Sequence, residues 1–234
     1  MPRTKMTRHQ LKEQDEITTS LQTFTELLVA RKKEAIIGVS VVAALVIIFF
    51  SWSYYSSSRN AKAQTELSQA IGTYGDATIK SEKERYQKTL AAAQKTYDDY
   101  GSTSIGKVAL YYVALSQEGL GDTAKAEQNL QEVIQRGDAG TKGVAQFALA
   151  EIYKKHGDNQ KAIDTFKPLF DSGGYSKSAV AYELATAYEA NKQTDQAKEF
   201  YQKVVADFPD SPFRQKADEA LKRLGVVTPP PKPS

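Results

Sequence analysis

The chain has 234 residues, 31 Lys and Arg against 28 Asp and Glu, a net charge of +3 and no cysteine. So even a balance argues against a nucleic-acid binder, and the absent thiols exclude disulfides, iron–sulfur clusters and thiolate zinc sites. The length suffices for a membrane anchor plus one domain of ordinary size.

Residues 1–34 read as a basic arm. The first ten lack a periodic apolar face and are expected to be disordered. Further on, Ile17, Leu21, Phe24 and Leu28 fall on one helical face. A short amphipathic helix is expected there, lying along a membrane surface or docking on a membrane protein. The alternative is an arm that only sets topology.

Residues 35–55, AIIGVSVVAALVIIFFSWSYY, are expected to form a transmembrane helix. A run this long rises about 30 Å as a helix, the thickness of a bilayer's hydrocarbon core. Arg31, Lys32 and Lys33 precede it, while Trp52, Tyr54 and Tyr55 close its far end. Basic flanks hold the cytoplasmic side, so the N-terminus is expected inside and everything after Arg59 outside. A buried core helix and a cleaved signal peptide are the competing readings.

Residues 59–225 read as helix throughout. Leu67, Ala70, Ile71 and Tyr74 form one stripe, ended by a turn at Gly75-Asp76. Ser81 to Glu84 fits a capping box, followed by the stripe Tyr86, Leu90, Ala93 and Tyr97. Gly101 stops that helix. The chain then repeats itself. Ala126, Ala162 and Ala197 each lie early in a helix, 36 and 35 residues apart. Ala114, Ala150 and Ala185 hold matching places in the helix before, next to Val113, Leu149 and Leu184. Turns at Gly121-Asp122, Gly157-Asp158 and Gln193 to Asp195 separate each pair.

These features resemble the tetratricopeptide repeat, a helix–turn–helix unit of about 34 residues. The best copies are 143–174, with Leu149, Ala150, Tyr153, Ala162, Phe166 and Leu169, and 178–209, with Leu184, Ala185, Tyr188, Ala197, Tyr201, Val204 and Pro209. The copy at 107–138 is poorer, with Gln117 at an aromatic place and Asp138 at the closing proline. Residues 59–100 would be a degenerate leading repeat. The expected fold is therefore all-α, a single transmembrane helix followed by a tetratricopeptide-repeat solenoid. Ser211-Pro212 is expected to open a capping helix over 212–224, with Ala217, Ala220, Leu221 and Leu224 facing the last repeat and Gly225 ending it. Residues 226–234 read as an extended proline-rich tail. Pro168, inside a helix, is expected to kink it or end it near Lys167.

No catalytic constellation stands out, and no cofactor or metal is expected. His156, beside Gly157, reads as a residue complementing a helix C-terminus. What remains is a surface. In the tetratricopeptide family the first helix of each unit lines a concave groove, which implies a ladder of Tyr111, Phe147 and Tyr182 and a second row of Glu118, Lys154 and Glu189. The ladder would hold an apolar segment of a partner; alternatively its rings pack against the next repeat.

The whole layout is similar to the YfgM-like family of bacterial inner-membrane proteins. That resemblance implies a single-pass inner-membrane protein with a periplasmic domain, which accompanies the Sec translocon and works with periplasmic chaperones on exported clients. An envelope scaffold for division, secretion or pilus assembly is the second reading. Self-association through the helix at Ala61 to Tyr74, giving a homo-oligomer, is the third.

Overall fold

The structure, a computed structural model, describes residues 32–226. Residues 1–31 of the arm, with its expected amphipathic helix, and all but the first residue of the proline-rich tail lie outside the described residues, and Lys32 to Glu34 open the first helix. Within them the chain is helical, with no strand: α1 (Lys32–Tyr74), α2 (Glu82–Tyr100), α3 (Ser104–Gly119), α4 (Thr123–Arg136), α5 (Ala139–Lys155), α6 (Asn159–Ser172), α7 (Lys177–Ala190), α8 (Thr194–Asp207) and α9 (Arg214–Arg223). The chain divides into two units, one up to Ser57 and one from Ser58.

In the first unit, α1 carries the apolar run. It is the one described helix long and apolar enough to cross a membrane. Its large side chains from Ile36 to Tyr55 are 47–80% exposed. A buried core helix would show the opposite, so that reading is set aside.

In the second unit each helix from α2 on packs on the next in sequence, and α3 also touches α5. The places singled out in the repeats are where the core lies. Ala114, Ala150 and Ala185 are fully buried, as are Ala126, Ala162 and Ala197. Leu130, Phe166 and Tyr201, at one matched place, fill the gaps between them. Methyl-sized side chains at the crossings let neighbouring helices interlock, and the large side chains beside them exclude water. Leu67 and Ala70 at the end of α1 belong to the same core. Ile71, expected in that stripe, is 41% exposed, because the buried face runs through Ala63, Leu67 and Ala70 instead.

Several local expectations need adjustment. Ser81 does cap α2, accepting from Glu84 N at 3.3 Å, but Glu84 turns its carboxylate to Lys88 at 2.7 Å. Asp138, at the place of the closing proline, is instead the N-cap of α5 and accepts from Thr141 N at 2.8 Å. Gln117, in an aromatic's place, accepts a hydrogen bond from Asn129 at 2.8 Å; the matched pair in the last repeat, Tyr188 and Phe200, stacks its rings at 5.6 Å. An amide pair thus bridges the same two helices that rings bridge elsewhere. Pro168 does not end its helix, which continues to Ser172. Pro168 and Asp164 are exposed, so the carbonyl that loses its donor faces water. The last helix begins at Arg214 and not at Pro212, because Ser211 spends its side chain on a turn, accepting from Phe213 N at 3.2 Å.

The turns between paired helices share one backbone feature. Gly121 and Gly157 have φ of 86° and 83°, and the third turn puts Lys192 there at φ 61°. Glycine adopts this left-handed state freely, whereas a side chain resists it. Lys192→Gly is therefore expected to stabilise the protein by about 0.5 kcal/mol, once glycine's greater unfolded freedom is set against the relief of about 1–2 kcal/mol. A lower thermal midpoint would contradict this. Gly143 answers a different constraint. A Cβ there would lie 1.8 Å from the Gly174 carbonyl oxygen. Gly143→Ala is expected to cost about 1–3 kcal/mol through overpacking, measured by denaturant unfolding of the purified chain.

Candidate interaction surface

The first helices of the three repeats are α3, α5 and α7, and they carry all six candidate groove residues. The three rings do not stack on one another. Phe147 stacks on Tyr175 at 4.4 Å and meets Phe166 edge-on at 5.5 Å. Tyr182 stacks on Phe213 at 5.3 Å and approaches Tyr201 at 5.8 Å. Tyr175 and Phe213 each stand just before the next helix in the stack. The alternative, rings packed against the neighbouring unit, thus describes Phe147 and Tyr182. Tyr111 differs. It lies edge-on to Tyr112 at 5.4 Å, and Tyr112 in turn meets Tyr74 at 5.5 Å. Burial raises the Tyr111 phenol, reinforced by the phenols of Tyr74, Tyr112 and Tyr175.

The charged row has a regular arrangement that matched places alone do not reveal. Each member reaches forward to the following helix of the stack. Glu118 on α3 accepts from Lys155 at 2.7 Å, and the His156 ring lies 3.1 Å away, both at the end of α5. Thr123 adds a third contact at 2.8 Å. Lys154 on α5 donates to Glu183 on α7, and also lies 2.8 Å from Glu151. Glu189 on α7 accepts from Arg223 on α9 at 2.7 and 2.9 Å, and from the Tyr201 hydroxyl at 2.9 Å. The three charges therefore tie successive units together.

Their titration follows from this. Burial pushes the Glu118 carboxyl up, but the bonds from Lys155, Thr123 and His156 outweigh it and hold it below its ordinary value. Burial opposes the charge on Lys154, yet Glu151 and Glu183 more than compensate and raise it. Glu151 is raised, first by burial and then by the nearby Glu183 carboxylate. Its Oε1 is buried and, though close to Lys154, lacks a well-directed hydrogen bond.

Tyr182 and Glu189 come together in a cleft of about 560 Å3, lined also by Thr186, Tyr201, Lys216 and Arg223. Tyr111 and Phe147 are not part of it. No group of three or more metal-ligating side chains occurs among the described residues. The sequence reading missed Lys155, Glu183 and Arg223 as ion-pair partners, and Tyr175 and Phe213 as ring partners. The ion-pair partners lie 37, 29 and 34 residues further on, an offset too uneven for a period to mark them. The ring partners sit in connecting segments of unequal length, where no period marks them.

A family model described as a tetratricopeptide repeat-like domain matches residues 31–226. Among solved structures, a Podosopora anserina putative kinesin light chain with nearly identical TPR-like repeats is 18% identical, with a TM-score of 0.56, over 70% of this chain and 85% of that one. A variant of the same protein gives 18% identity and a TM-score of 0.56, over 70% and 84%. At that identity the likeness concerns the fold alone. No curated protein matches the chain. The stacked helix pairs, their buried small residues and a model match over most of the length make this chain a member of the tetratricopeptide repeat-like domain family.

Proposed function

We propose that the chain is a membrane-anchored holder of other proteins. Its anchor is the segment 35–55 and its partner-holding surface is the face of α3, α5 and α7. The observation that carries this reading is the pairing of one uncovered apolar stretch with a repeat stack of a kind that is typically a non-catalytic interaction scaffold. No enzymatic family is indicated. The basic flank at Lys32 and Lys33 and the aromatic end at Trp52 to Tyr55 favour a cytoplasmic N-terminus and a stack on the far side of a bacterial inner membrane. Anchoring raises the effective concentration of a weak groove where chains emerge from a translocon. The finer reading is thus an ancillary component of the Sec translocon and periplasmic chaperone network. An envelope scaffold, using the same face on a folded partner, is the second reading.

A reporter fused after Gly225 is expected to be active only in the non-cytoplasmic form. Activity of a cytosol-dependent reporter at that site would overturn the topology. In-membrane crosslinking separates the two roles, with translocon subunits and exported clients on one side and division or pilus components on the other. Tyr111, Phe147 and Tyr182 replaced together by Leu keep apolar volume while removing the rings, and are expected to reduce partner capture about tenfold. Unchanged capture with helicity retained would move the site elsewhere.

A further inference from the structure

The three forward-reaching ion pairs are not alike. Glu118 meets Lys155 and the His156 ring, and Glu189 meets Arg223 one to one. The middle level instead sets two carboxylates against one ammonium. Lys154 Nζ lies 2.8 Å from Glu151 Oε1 on its own helix and donates across to Glu183 on α7. Thr186 donates to Glu183 as well, at 2.8 Å to the backbone carbonyl and 3.2 Å to the carboxylate. Glu151 Oε1 is buried and has no well-directed hydrogen bond. The side chains of Glu183, Lys154 and Glu151 are 17%, 22% and 37% exposed, so water screens them poorly yet can still deliver a proton. The level thus carries one surplus negative charge. The charged groups acting most strongly on Glu151 are Lys154 and Glu183. Those that the surrounding helices turn this way are engaged elsewhere. Glu118 on α3 is taken by Lys155, and Glu127 on α4 interacts with Tyr153. Lys161 on α6 pairs with Asp158 and lies over that same ring. On α7, Glu189 is taken by Arg223, and burial raises the Tyr182 phenol, which stays uncharged.

We propose that Glu151, Lys154 and Glu183 are a proton-operated clasp between the second and third repeats. With both carboxylates ionised, their repulsion loosens the junction. One proton taken from solvent by Glu151 turns that carboxylate into a donor. Its O–H then bonds to the Glu183 carboxylate while Lys154 keeps its place, and the level becomes neutral. Burial, and then the Glu183 carboxylate, raise the Glu151 carboxyl above its ordinary value. Such a group stabilises the fold in its protonated form. The gain is complete below the unfolded value and is lost as pH rises through the folded one. Glu118 has the opposite sign: its carboxyl is lowered, so its contribution holds above the unfolded value and fails only in stronger acid. Mild acid therefore tightens the middle junction and leaves the first intact. The clasp goes beyond the partner-holding role above and its test uses no partner, so the two readings fail separately.

Two measurements on the full chain in detergent micelles test this. The first is a carbon-13 titration of the glutamate carboxyls, in which the Glu151 signal is identified by its loss in Glu151→Gln or Glu151→Asp. Its midpoint is expected above those of the exposed glutamates. The second is hydrogen exchange followed by mass spectrometry, corrected for the intrinsic rate at each pH. Exchange in α5 and α7 is expected to slow about threefold from about pH 7.5 to about pH 5.5. Glu151→Gln mimics the protonated carboxyl. It is expected to exchange at the higher pH as slowly as the unaltered chain does at the lower, and to lose the response. A Glu151 midpoint at or below those of the exposed glutamates would overturn the proposal. So would the absence of a pH response, a response that survives Glu151→Gln, or a slowing spread evenly over the stack.

Discussion

The second unit depends on one constraint: a single pair of helices cannot bury its own apolar face. The buried residues of successive units run together into one common core. The fully buried alanines at the matched places set how close the helices come, and Leu130, Phe166 and Tyr201 adapt the filling to each level. The same constraint explains the rest. The leading repeat borrows the end of α1, whose Leu67 and Ala70 join the common core, and the trailing one is closed by Ala217, Ala220 and Leu221 of α9.

Polar bonds elaborate this stack. At the leading end Lys95 on α2 pairs with Glu66 on α1 at 2.7 Å, and Arg59 donates to the Asp99 carbonyl at 2.5 Å. Lys107 is buried against the Tyr97 ring at 5.2 Å and 3.6 Å from Glu132. That arrangement links α2, α3 and α4, and the Tyr97 phenol is pushed up to about 12, first by its burial and then by the Glu132 carboxylate that accepts its hydrogen bond. A lysine at that depth is tolerated because a carboxylate and a ring face both receive it.

Much of the fold was legible in the sequence because it is written in local periods. The alanine spacing, the stripes and the glycine turns are each decided within one or two helical turns. Capping was legible in kind and less so in place. Asp138 looked like a defect in a repeat and proves to be the start of the next helix. Ser211-Pro212 looked like a helix start and proves to be a turn, in which the Ser211 hydroxyl accepts from Phe213 N and the helix begins at Arg214. The six surface residues were found because equal places repeat. Their partners were not, because pairing depends on which side chain of the following helix faces each one, a matter of three-dimensional proximity.

The forward-reaching ion pairs make the order of the units part of their chemistry. Lys154 is matched by Glu183 on the next level, but Ala148 holds the corresponding place one level down. A duplicated second unit would set Lys154 against a methyl group, and exchanging the last two would strand Glu189 without Arg223. The three repeats share a shape but are not interchangeable bricks, and lengthening or shuffling the array would demand rewritten charges at each new junction.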